Sequence, residues 1–252
     1  MTKEERRIIA EKHFDEMKND TFVSRVTKNS RVNSVIYDKN HYPKFTYDNS
    51  IEVIDSTTEN AIAKYAQPFK QLCVLNFASF TRPGGGFIKG AIAQEEALCH
   101  VSNLYNVLLA FEDKYTENFY KSSFETGLYE DWGIFSPSIY FKFGENSDLL
   151  ANVITCPAPN YNVYKKYYSD ENLYLKTLES RIKFVLDMAK VHDQEILILG
   201  AFGCGVFGND PTLVASIFKE FLKDYKFEKV IFAIPDNGNG NYVAFKKVFN
   251  DK

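Results

Sequence analysis

Basic side chains of the kind that grip nucleic acid are scarce in this chain. Only six of the 30 Lys and Arg residues are Arg, 33 Asp and Glu outnumber them, and the formal net charge is −3. A duplex binder displaces counterions with a basic excess, so general duplex nucleic-acid binding is not expected. Cysteine is equally sparse: Cys73, Cys99, Cys156 and Cys204 stand far apart with no Cys-x-x-Cys pair. That spacing argues against both a zinc cage and a disulfide framework, and it leads us to expect reduced thiols in a cytoplasm. His13, His41, His100 and His192 are scattered and no clustered-Asp pattern occurs, so neither a metal nor another cofactor is expected. Long apolar runs are missing as well. The longest, Ile196 to Phe207, is well short of the roughly 20 residues that span a bilayer. The charged start Met1-Thr-Lys-Glu-Glu-Arg-Arg7 lacks the apolar stretch of a signal peptide, so no membrane partner is expected.

What is present is an ordinary globular composition, 45% hydrophobic and 25% charged, with a high aromatic share of 15% over 252 residues. That length suits one sizeable domain with a buried core. We read residues 50–252 as the core and 1–49 as an N-terminal, mainly helical extension. Ile8, Ile9, Phe14 and Met17 mark a helix from about Glu4 to Met17, and the stretch from there through Asn49 reads as irregular. Ser50 to Asp55 alternates as a strand, and Glu59 to Tyr65 reads as a short helix. Leu72 to Ala78 is a near-continuous apolar run, as central strands show when helices cover both faces. Ala97, Leu98, Val101, Leu104, Tyr105, Leu108 and Leu109 recur at helical spacing, predicting one amphipathic helix from Gln94. Strands at Ile134–Phe141 and Asn152–Cys156, a helix over 173–189, a strand over 195–200, a helix over 211–225 and a strand over 229–235 complete an α/β pattern. Such alternation implies an α/β layered domain with a largely parallel or mixed sheet.

Two glycine-rich loops follow buried strands: Pro83-Gly-Gly-Gly-Phe-Ile-Lys-Gly90 and Gly203-Cys-Gly-Val-Phe-Gly208. Both are expected at the carboxyl edge of the sheet, where open α/β folds bind ligands. Glycine permits close backbone approach to an anion, so a diphosphate suits the pair, although either cluster alone could be a simple turn. Neither is a Walker loop, since the terminal Gly-Lys-Ser/Thr is absent. Gly203-x-Gly205-x-x-Gly208 matches a dinucleotide fingerprint, but Asn209-Asp210-Pro211 reads as a cap and first-turn proline, which puts Gly208 before the helix instead of within it. Asp236 also lies 28 residues beyond Gly208, farther than the usual roughly 20. Glu95 and Glu96 fall in a helix's first turn, where acids commonly complement the dipole. Their position shortly after three glycines would also bring a carboxyl group beside a bound phosphate-sugar ligand.

Val74-Leu-Asn-Phe-Ala-Ser79, Pro83-Gly-Gly-Gly86, Gly90-Ala91 and Gln94-Glu-Glu-Ala-Leu-Cys99, with Thr155 to Asn160 and Gly200 to Pro211, resemble the microbial-type poly(ADP-ribose) glycohydrolases. The resemblance implies a macrodomain-like fold of three α/β/α layers with a mixed sheet, and a glycosidase that releases ADP-ribose from poly(ADP-ribose) by hydrolysing the ribose–ribose bond. It implies Glu96 as the catalytic acid, Glu95 on the distal ribose with help from Asn76, and Gln94 among the substrate-binding residues. Backbone amides of Gly84, Gly85 and Gly86 and of Gly203, Cys204, Gly205, Val206 and Phe207 would cradle the diphosphate. Phe207 would cover the distal ribose, and Phe232 is a candidate adenine contact or a plain core residue. The implied partners are poly(ADP-ribose) or ADP-ribosylated macromolecules. Two alternatives share the pocket: a hydrolase of mono-ADP-ribose adducts on protein or nucleic acid, and an ADP-ribose-binding module without turnover.

Overall fold

A computed structural model describes residues 1–37, 49–67, 70–144 and 148–250 of the chain. Two helices lead: α1 (Lys3–Asn19) and α2 (Thr21–Asn33). There follow β1 (Val35–Tyr37), β2 (Ser50–Ile54), α3 (Thr58–Tyr65), β3 (Leu72–Phe77), α4 (Gln94–His100), α5 (Leu104–Leu108), α6 (Glu112–Phe119) and α7 (Ser122–Thr126). The second half contains β4 (Gly133–Phe141), β5 (Leu149–Cys156), α8 (Tyr161–Tyr167), α9 (Glu171–Val191), β6 (Ile196–Leu199), α10 (Pro211–Phe221), β7 (Lys229–Ala233) and α11 (Asn241–Asn250).

The seven strands form one sheet in the order β1-β4-β5-β3-β6-β7-β2. From β5 to β2 every neighbour is parallel, whereas β4 runs antiparallel to both β5 and β1. The strongly apolar β3 sits between β5 and β6, and its alternate side chains enter different layers. Cys73 and Leu75 join Leu178, Ile182, Val214, Phe218 and Phe245 from α9, α10 and α11. Val74 instead joins Ala61, Ile62, Leu98 and Leu104 from the opposite helices. The sheet is thus mixed and covered on both faces, which is one of the two arrangements the strand pattern allows and the one the resemblance implies.

Two local readings need correction. The single helix expected from Gln94 is two, because Val101, Ser102 and Asn103 turn aside to bond the end of β4. The Asn103 amide donates to Tyr140 O at 3.1 Å, and its side-chain oxygen accepts from the Tyr140 amide at 2.9 Å. The segment read as irregular contains α2, which Asp20 caps by accepting from the Val23 amide at 2.9 Å. Its buried face carries Val23, Thr27 and Ser30, and two polar residues on that face conceal its helical period. The remainder of that reading, 38–48, lies outside the described residues. The strand expected over 134–141 forms as β4, with a bulge between Ser136 and Ile139, where Ser138 has a φ of 56°.

The leading helices pack on the core. Ala10 is fully buried in the same cluster as Val74 and Leu98. Arg6 Nε donates to Gly90 O at 3.0 Å, so α1 braces the far end of the first glycine loop. Gly90 has a φ of +69°, and an added Cβ would collide with the Lys3 carbonyl oxygen. Gly90→Ala is therefore expected to destabilise the protein by about 1–3 kcal/mol. Chemical denaturation measures that loss, and unchanged stability would show that α1 does not press on this turn.

Candidate active site

Parallel strands place the ends of β3, β5, β6 and β7 at one edge, and there a cavity of about 610 Å³ opens. That is within the roughly 300–1,000 Å³ typical of small-ligand sites. The segment after β3 supplies Ala78 to Thr81, α4 supplies Gln94 to Ala97, and the loop after β6 supplies Gly203, Gly205, Val206 and Phe207. Both glycine loops and the paired acids therefore converge, as their places in the strand pattern predict.

Gln94 completes a ladder. β3 pairs with β6 only from Leu72 to Val74, which leaves later backbone groups on that side without a strand. The Gln94 side chain substitutes for one, accepting from the Phe77 amide at 2.8 Å and donating to Leu75 O at 2.7 Å. A buried backbone group without a partner is costly, so this amide fixes α4 against the strand end.

Anchored in this way, α4 turns two acids inward. Glu95 is 2% exposed and both of its oxygens are held: Oε1 accepts from Asn76 Nδ2 at 3.1 Å and Oε2 from the Ser79 amide at 2.8 Å. Asn76 also donates to Thr155 Oγ1 at 3.2 Å, so β3 and β5 jointly aim it. Burial pushes the Glu95 carboxyl up to about 8, opposed by the Ser79 and Asn76 hydrogen bonds and reinforced by the neighbouring Glu96. Glu96 is held more loosely. Its Oε1 accepts from the Gly86 amide at 2.8 Å, while no hydrogen bond is made to Oε2 among the described residues.

The first glycine loop lies against these acids. The Gly86 amide is occupied by Glu96, and the Gly85 amide donates to Arg82 O at 3.1 Å. The second loop is different. Among the described residues, the amides of Gly203, Gly205, Val206 and Phe207 donate to no protein acceptor, whereas the Cys204 amide closes a turn onto Ala201 O. Its shape is pinned from outside: the Asn162 amide donates to Phe207 O and Asn162 Nδ2 to Val206 O, each at 3.0 Å. Beneath it, the buried Asn209 accepts from Tyr174 and donates to Pro159 O.

Phe232 does not reach the cavity. It is fully buried and packs on Phe218, Phe245 and Phe249, because its position on β7 points it into the α10 and α11 layer. The next residues, Ala233 to Pro235, line the cavity instead, with Asn237, Asn239 and Asn241. The Asn-Gly-Asn-Gly run after this last strand carries the same strand-end signal as the two recognised loops. Tyr129 and Phe80 also form wall, stacked with centroids 4.4 Å apart, and Tyr129 meets Phe207 edge-on at 6.1 Å. No local pattern marks Tyr129, whose φ of 58° is set by the tertiary fold. Among the described residues, no three His, Cys, Asp or Glu side chains come together as a metal site requires, and no helix is long and apolar enough to cross a membrane.

The family model for the microbial-type PARG catalytic domain matches residues 2–142. Among solved structures, the poly(ADP-ribose) glycohydrolase from Thermomonospora curvata is similar at 28% identity over 98% of this chain and 100% of that one, with a TM-score of 0.83. Its complex with the inhibitor ADP-HPD matches at 28% identity over 97% and 99%, with a TM-score of 0.82. The Deinococcus radiodurans glycohydrolase in complex with ADP-ribose shares 31% identity over 88% of this chain and 96% of that one, at a TM-score of 0.78. No curated protein sequence matches the chain.

Two expectations follow from the carboxylate geometry. A Cβ on Gly85 would lie 2.6 Å from Glu96 Oε1 and 2.9 Å from Glu95 Oε2, at a φ of +60°. Gly85→Ala should therefore displace both acids and cut turnover at least ~10²-fold, the scale of acid–base assistance, while circular dichroism stays native; normal turnover would refute the contact. The second concerns pH. Because the folded Glu95 titrates near 8 against an ordinary 4.5, the native state retains a proton that the unfolded chain has released. Its contribution to stability thus falls as pH rises between those values and is flat above them. Glu95→Gln should flatten this decline in a Tm series from pH 5 to 9, and parallel curves would show that Glu95 is not the buried acid responsible.

Proposed function

The chain belongs to the microbial-type poly(ADP-ribose) glycohydrolase family, and from that premise we propose how its own residues divide the work. The enzyme is a glycosidase that hydrolyses the ribose–ribose bond of poly(ADP-ribose) and releases ADP-ribose. We assign the acid–base role to Glu96, and the observation that carries this is the unequal binding of the two carboxylates. Glu95 has both oxygens fixed by β3 and the segment after it, whereas Glu96 has one oxygen on Gly86 and the other available to a ligand. Glu95 is therefore suited to hold the distal ribose hydroxyls, with Asn76 as its support.

The diphosphate belongs on the second loop, where the amides of Gly203, Gly205, Val206 and Phe207 are free to donate, and the Phe207 ring closes over the distal ribose. With the terminal unit so placed, Glu96 gives its proton to the departing oxygen as positive charge develops at the anomeric carbon. It then takes a proton from the water that attacks that carbon, which restores the acid. The sheet with its ligand edge and a helical layer on each face fits a macrodomain-like core, with α1 and α2 as its N-terminal helical part. A cytoplasmic site of action fits the four free cysteines, since unpaired thiols persist in reducing compartments.

Glu96→Gln keeps nearly the same size but cannot cycle a proton. Turnover of poly(ADP-ribose) should fall by ~10²–10⁴, while calorimetric affinity for ADP-ribose, which lacks the scissile bond, stays within a few-fold. Undiminished turnover would remove Glu96 as the acid. Tight binding by the unaltered protein without hydrolysis of polymer or of mono-ADP-ribosylated protein would indicate a binding module.

A further inference from the structure

Cleavage between ADP-ribose units leaves a second adenosine at the departing oxygen, followed by its own diphosphate. A polymer-cleaving enzyme therefore has an adenine ring and two negative charges immediately outside its catalytic end. We propose that the exposed end of α8, with Lys165, Lys166, Tyr167 and the adjoining Tyr168, is a second subsite, which binds this leaving ADP-ribose unit. The proposal rests on the polymer reading above and extends it to how a chain is told from a single unit.

Position is the first support. Asn162 of α8 holds both Val206 and Phe207 of the loop that walls the cavity. Lys166 lies one helical turn beyond Asn162, hence on the same side of the helix. Charge and ring surface are the second. Neither Lys165 nor Lys166 forms an ion pair among the described residues; the Lys165 ammonium instead sits 5.1 Å from the Tyr161 ring centroid. Tyr167 is 76% exposed, and Tyr168 stacks on Tyr164 at 5.3 Å. Exposed rings beside unpaired lysines suit stacked bases on a phosphate chain. Another exposed aromatic patch, Phe119 and Tyr120, shows that rings alone do not decide. Its lysines are neutralised, Lys114 by Glu117 and Lys121 by Glu130.

The test compares polymer with monomer. In a Glu96→Gln background, which prevents turnover, fluorescence anisotropy with end-labelled poly(ADP-ribose) is read beside calorimetry with ADP-ribose. Adding Lys165→Glu and Lys166→Glu should weaken polymer binding roughly ten-fold and flatten its salt dependence, leaving ADP-ribose affinity and Tm unchanged. In the otherwise unaltered enzyme the same pair should raise the KM for polymer and spare kcat. Tyr167→Ala should weaken polymer binding without altering the salt slope. Unchanged polymer affinity, or an equal loss for ADP-ribose, would overturn the subsite. So would polyadenylate that displaces the polymer as well as unlabelled polymer does, since the face would then be a general polyanion surface. Failure of the unaltered enzyme to cleave polymer would refute the functional reading, and the binding comparison would still decide the subsite.

Discussion

Two carboxylates buried side by side at the end of a strand are an unfavourable arrangement, and the architecture of the site follows from making it tolerable. Each acid removed from water needs donors. Glu95 receives them from Ser79 and Asn76 on or just after β3, and Glu96 from Gly86. The three glycines are needed because the chain must pass close over both acids at positive φ at Gly84 and Gly85, a path that a side chain would obstruct. Gln94 then locks α4 to the strand, so that the acids cannot swing out to solvent. The loop after β6 is free of this duty, and its Gly203, Gly205, Val206 and Phe207 amides donate to no protein acceptor among the described residues.

Much of this was legible in the sequence because the signals are local. The apolar run of β3, the glycine clusters and the Gln-Glu-Glu triplet each declare a conformation or a chemistry within a few residues. Their convergence follows from a general property of parallel strands, whose carboxyl ends share an edge. What was hidden depends on distant chain. Tyr129 reaches the cavity only because the 127–129 turn is bonded to Asn160, and Phe232 leaves it because alternate residues of β7 face opposite layers. The different hydrogen bonding of the two glycine loops was also unreadable: in one the Gly86 amide holds an acid, and in the other four amides have no protein acceptor among the described residues.

The catalytic loop is held from both sides. In front, Glu96 takes the Gly86 amide; behind, Arg6 takes the Gly90 carbonyl and the first turn of α1 fills the space beside that glycine. The fully buried Arg181 performs a related service under the neighbouring segment, bonded to Asp131 and to the carbonyls of Pro157 and Leu128. A charge buried that deeply stays favourable only while every partner is in place, which makes the segment after β5 rigid.

The strand order has a consequence for how the enzyme comes into being. β3 lies between β5 and β6, so its partners arrive from residues 149–156 and 196–199, far along the chain. The outer strands β2 and β7 are farther apart still, yet they pair directly. Contacts of such long separation form slowly, because loop-closure entropy is lost before the contacts repay it. No early, locally folded fragment can contain the cleft, whose lining runs from Thr57 to Asn241. Hydrolytic competence is therefore a property of the finished topology, acquired when the last parallel strands close.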